Sequence, residues 1–136
     1  MDSRSYVEMD DREVLEALYG ARMSLERQTY KYEDWTTCGC GHIYVGATGR
    51  HARTSEAVTE PTNTRYWQVI TRVATVLGWD GGGPGPVGYV SNQVADYGKL
   101  RTAARRVVQE AIDEIEAMQR DAMLKIADPA HEAPLA

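Results

Sequence analysis

The chain has no phenylalanine and only two cysteines among its 136 residues. Without Phe, aromatic burial falls to Trp35, Trp67, Trp79 and eight tyrosines. Each of these carries a polar atom that needs a partner or water. Leu, Ile, Val and Met make up about a fifth of the chain, enough for one core and short of a generous one. A core of that kind is often finished by an oligomer partner or a ligand. The two cysteines are separated by one residue, and a disulfide across so small a loop gains little chain entropy, so a stapled scaffold is excluded. Reduced thiols fit a cytoplasmic setting. No apolar run nears bilayer-spanning length and no apolar N-terminal segment is present, so neither a membrane span nor a signal peptide is expected. Also missing is any recognisable Ser/His/Asp or paired-carboxylate pattern, which favours binding over catalysis.

Acidic residues outnumber basic ones, giving a net charge of −5, but the excess is unevenly spread. Residues 1–34 hold five Lys/Arg against nine Asp/Glu, residues 35–107 eight against four, and residues 108–136 two against seven. An acidic total argues against indiscriminate nucleic-acid binding, while the basic middle leaves room for a local anion site. Segregated, solvated helix faces would give the same distribution.

Three helices are readable. The first spans Asp11 to Tyr30, with Asp10 as N-cap and Glu13 completing a capping-box pattern. Val14, Leu18, Ala21 and Leu25 form its apolar stripe. Gly20, costly by ~1 kcal/mol in mid-helix, marks close packing against a neighbour. The second spans Thr64 to Leu77, capped by Asn63 and stopped by Gly78. Its β-branched content makes a strand the rival assignment, but the apolar period is helical. The third and longest spans Leu100 to Ile126. Ala104, Val108, Ala111, Ile115, Met118 and Ala122 recur with coiled-coil spacing, widened by Leu100, Val107, Ile112 and Met123. Glu116–Arg120 and Asp121–Lys125 are favourable pairs one turn apart. Between the second and third helices, Gly81 to Pro86 reads as a flexible surface loop. Short strands are conceivable at Arg4–Met9, Ile43–Ala47 and Val87–Val90, making at most a small hairpin. The expectation is a single, mainly α-helical domain over residues 1–127, with a disordered tail over 128–136.

Both cysteines and two of the three histidines fall between residues 38 and 51. Cys38, Cys40, His42 and His51 offer the four N/S ligands of a structural zinc, although a single residue between cysteines is tighter than a usual zinc knuckle. The Cys-Gly-Cys pair is also a compact dithiol, in which one thiolate attacks and the other resolves. His42, Arg50 and His51 would lower its pKa, and a helix over 41–48 would add to that. The structural alternative is a pair of small buried hydrophobes beside a hydrogen-bonded histidine. Apart from zinc at this cluster, no cofactor is implied. Arg50-His51-Ala52-Arg53 offers a basic run for a phosphate or acidic partner, or simply a solvated loop.

Residues 94–106 look like a helix-turn-helix: an apolar-Ala start, Gly98 at the turn, then a second helix. Its exposed face would present Arg101, Thr102, Arg105 and Arg106 to DNA. The same helix runs on into Glu110, Asp113, Glu114 and Glu116, which phosphates would repel.

The segment Trp35-Thr36-Thr37-Cys38-Gly39-Cys40-Gly41-His42-Ile43-Tyr44-Val45-Gly46-Ala47 resembles a stretch in small uncharacterised proteins of actinobacteria and their bacteriophages. The similarity covers about a tenth of the chain. Arg-rich, Lys-poor composition fits the same GC-rich setting. The resemblance implies an accessory protein and no particular activity. Taken together, the sequence points to a protein that binds another macromolecule, a protein partner or a second copy of itself. A DNA-binding regulator and a zinc or thiol protein are the alternatives.

Overall fold

Asp10 accepts a hydrogen bond from the Glu13 backbone N–H at 2.9 Å, and the Glu13 carboxylate reaches back to the Asp10 N–H. This closed capping box starts α1 (Asp11–Arg27). The computed structural model describes residues 8–127. The remaining elements are α2 (Gly39–Thr48), α3 (Ser55–Thr59), α4 (Thr64–Val76), α5 (Gly85–Asp96) and α6 (Arg101–Ala127). The Thr54 side chain caps α3 and that of Asn63 caps α4.

The protein is mainly helical, as expected, but its described residues form six helices where three were read. The second and third expected helices are α4 and α6, and the first ends three residues early, at Arg27. Two assignments are corrected. Ile43–Ala47 and Val87–Val90, read as strands, lie inside α2 and α5, and no strand occurs among the described residues. The loop read over Gly81–Pro86 is shorter, because Gly85 and Pro86 open α5. Proline is well placed there, where a helix has no use for its missing N–H. Of the expected strand Arg4–Met9, residues 4–7 lie outside the described residues, as does the tail 128–136.

Poor helix formers build α2 because tertiary packing decides its backbone. It touches all five other helices and buries Gly39, Cys40, Gly41, His42, Ile43 and Ala47. Its glycines let other chain segments come within contact of its backbone. A Cβ on Gly46 would sit 2.6 Å from the Ala21 nitrogen of α1, and one on Gly41 would sit 2.6 Å from the Trp35 carbonyl oxygen. Across the same crossing, a Cβ on Gly20 would meet the Gly46 Cα at 3.2 Å. The sequence expectation that Gly20 marks a close approach is therefore met. Leu18, Leu25, Ile43, Val58, Tyr66, Ile70, Val90, Ile112 and Ile115 fill the surrounding core.

Gly46→Ala is expected to destabilise the fold by about 3 kcal/mol, because a methyl group must displace backbone and not a flexible side chain. Gly20→Ala has more room and gains helix propensity, so it should cost clearly less. Urea denaturation of both variants measures the difference. Equal midpoints would show that the two helices do not touch at this point.

Candidate functional site

The chemistry-bearing residues of segment 38–51 separate into a buried part and an exposed part. Cys38 is the N-cap of α2, and Cys40 and His42 follow within its first turn, all three buried. His51 lies beyond the helix end, where Gly49 turns the chain through φ +76°, and is exposed.

His42 is held at both ring nitrogens. Nε2 lies 2.9 Å from the Thr29 carbonyl oxygen and Nδ1 lies 2.7 Å from Ser24 Oγ. A carbonyl only accepts, so Nε2 carries the proton. The Ser24 hydroxyl then donates to Nδ1. Burial pushes the His42 pKa below its usual 6.5, and the neighbouring Arg101 charge acts in the same direction. The ring stacks on Tyr30, 6.1 Å between centroids. Tyr30 donates to the Lys99 carbonyl at 2.7 Å, and burial raises its pKa to about 12.

The two thiols are unequal. The Cys40 thiol and the backbone N–H groups of the first turn of α2 favour a thiolate at Cys38, lowering its pKa to about 7 against the opposing effect of burial. Cys40 is pushed up, because it donates to Cys38 and is deeply buried. In their neutral forms Cys38 faces the Trp35 carbonyl at 3.5 Å and Cys40 that of Val87 at 3.7 Å. Among the described residues no three His, Cys, Asp or Glu side chains are grouped to hold a metal ion. To bind one, His42 would have to give up the Ser24 or the Thr29 contact.

His51 instead lines a surface cleft of about 720 Å³ with Tyr44, Arg50, Ala52, Arg53 and Ala57. That lining carries three basic side chains and no carboxylate.

The residues read as DNA-contacting follow the turn between α5 and α6, where Gly98 and Lys99 both adopt positive φ, +114° and +67°. Arg101 donates to the Leu25 carbonyl and, at 2.7 Å, to that of Gln28. It thereby caps the C-terminus of α1, a favourable place for a cation. Arg105 pairs with Glu26 at 3.4 Å. Arg106 pairs with Glu110 at 3.0 Å and lies 3.7 Å over the Tyr97 ring. Thr102, Arg105 and Arg106 share a shallow concavity of about 230 Å³ with Arg22 and Gln109. The sequence reading missed the structural duty of Arg101 and the pairing of Ser24 with His42, since neither contact has a local sequence signature.

Because the native pKa of His42 lies below its unfolded value, the unfolded chain takes up the proton first. The contribution of His42 to stability is therefore complete above pH 6.5 and lost as pH falls from 6.5 toward the native pKa. Denaturation midpoints should decline across that window. Ser24→Ala should cost about 1–3 kcal/mol at neutral pH, since it leaves Nδ1 buried without a donor. A midpoint unaffected by Ser24→Ala would show that the hydroxyl and the ring are not bonded.

No protein-family model, no curated protein and no solved structure matches this chain.

Proposed function

We propose that the protein is a non-catalytic binding module whose attachment surface is the C-terminal half of α6. One observation carries this reading. Ala104, Val108, Ala111 and Ile115 are buried, and the same stripe continues through Met118, Ala122 and Ile126 at spacings of three and four, with Met123 beside it. Among the described residues the cover does not continue. Along α6, Arg105 meets Glu26, Gln109 meets Arg22 and Glu116 meets Tyr19, so α1 runs antiparallel to it and starts near the level of residue 120. From Arg120 to Ile126 every residue is exposed. Met118 is 49% exposed, Met123 69%, Leu124 67% and Ile126 72%.

Burying the exposed parts of Met118, Met123 and Ile126, the large apolar side chains on that face, yields about 3–6 kcal/mol gross. That is comparable with the cost of association, so the surface fits reversible binding. No helix of the described residues is long and apolar enough to cross a membrane. The resemblance of residues 35–47 to actinobacterial and phage proteins supports an accessory role.

A second reading, DNA binding through the first turns of α6, draws on the concavity where Arg22, Arg105 and Arg106 converge beside Thr102. Its weakness is that Arg101 is spent on α1 and that Glu26 and Glu110 neutralise the other two. A metal or thiol role for Cys38, Cys40, His42 and His51 draws on the lowered pKa of Cys38; the burial of Cys38, Cys40 and His42, and the separate, exposed position of His51, oppose it.

The test is a Met123→Gln, Ile126→Gln double variant compared with the wild type in dilute solution. Binding of a hydrophobic dye should fall while the melting temperature stays nearly constant, as expected for surface substitutions within about 0.5 kcal/mol. A melting temperature lowered by several degrees would show that these side chains serve the fold itself.

A further inference from the structure

We infer that the occupant of this face is a second copy of the chain, its α6 antiparallel to the first about a twofold axis at Met123; this builds on the binding role proposed above. The charge pattern beside the apolar stripe leads to it. On a helical projection at 100° per residue, Met118, Ala122, Ile126 and Met123 share one face. Asp121 and Lys125 border that face on one edge, one turn apart, while Glu116 and Arg120 lie on the other. In an antiparallel pair each edge meets the same edge of its mate. A twofold axis at residue 123 sets residue n level with residue 246 − n of the other copy. Asp121 then faces the other copy's Lys125, and by symmetry Lys125 faces its Asp121, giving two ion pairs from one self-complementary edge.

The packing agrees with that register. Small Ala122 falls between Ala122 and the large Ile126 of the other copy, two positions from the level of each, and Met123 meets its own equivalent on the axis, where an unbranched thioether adapts easily. The lengths agree as well. Residue 127 of one helix falls level with residue 119 of the other, near where the cover from α1 ends. The uncovered part of α6 is thus the length that the pair uses, and the two helical bodies lie at opposite ends. A parallel pair would set each edge against the opposite edge of its mate and place the bodies side by side, losing the Asp121–Lys125 pairing.

Charge reversal tests the register. Asp121→Lys and Lys125→Asp each turn both ion pairs into repulsions. Analytical ultracentrifugation should show the wild type in a concentration-dependent monomer–dimer equilibrium. Each single variant should associate about tenfold more weakly or worse. Mixing the two variants sets Lys against Asp at both contacts, so a one-to-one heterodimer should form from two monomeric proteins. The double variant Asp121→Lys, Lys125→Asp should dimerise like the wild type.

A wild type that stays monomeric at every concentration, or a mixture that behaves as the separate variants do, overturns the proposal. Methionine oxidation then separates the two levels of the argument. Met9, buried in the core, is the slow reference. If Met118 and Met123 oxidise fast in that monomer, the face is open for a different protein and the binding role stands without self-association. If they oxidise as slowly as Met9, the chain covers the face itself and both readings fall.

Discussion

Between α1 and α2 the chain meets itself backbone to backbone at Gly20 and Gly46, and most of the molecule is arranged around that contact. No side chain larger than hydrogen fits at residue 46, where even a methyl group would crowd the Ala21 nitrogen. The two helices run antiparallel from there to Ser24 and His42, whose hydrogen bond lies one turn farther along the same seam. Because α2 also touches α3, α4, α5 and α6, its position relative to α1 fixes the frame for the rest. At this crossing only small residues fill the space, Ala17, Gly20 and Ala21 against Gly46 and Ala47, while larger rings such as Tyr66 pack elsewhere in the core.

The long helices were legible because they follow rules that act locally. Asp10 and Glu13 announce α1, Asn63 announces α4, and apolar spacing carries both of them and α6. What could not be read was governed by distant neighbours. Gly39, Gly41 and Gly46 in one ten-residue stretch argue against a helix on propensity alone. They become intelligible only when Val94, Trp35 and Ala21 arrive from elsewhere in the chain. Val87–Val90 was misread for a related reason. Its β-branched residues pack as well on a buried helix as in a strand, and the glycines before it hid the true start of α5 at Gly85.

The candidate site was legible as a place and not as an arrangement. Cys38, Cys40 and His42 do sit together, at the start of the most connected helix, yet His51 faces a separate cleft with Arg50 and Arg53. Residue type drew attention to the cluster, and burial decides what it can do. The same holds for the arginines after the α5–α6 turn. Their charge is visible in the sequence, but whether a guanidinium faces solvent or spends its protons on carbonyls depends on where α1 ends.

Arg101 illustrates the cost of such long-range dependence in time. It closes the exposed carbonyl end of α1 from 73 positions downstream of Gln28. A ribosome making this chain releases α1 well before Arg101 exists. During that interval the Leu25 and Gln28 carbonyls lack the guanidinium that later serves them. The α1–α2 pair must wait for its last helix before the fold becomes self-sufficient. Synthesis speed between the emergence of α1 and that of Arg101, a property of the message and not of the protein, thereby sets how long this helix end waits for its cap.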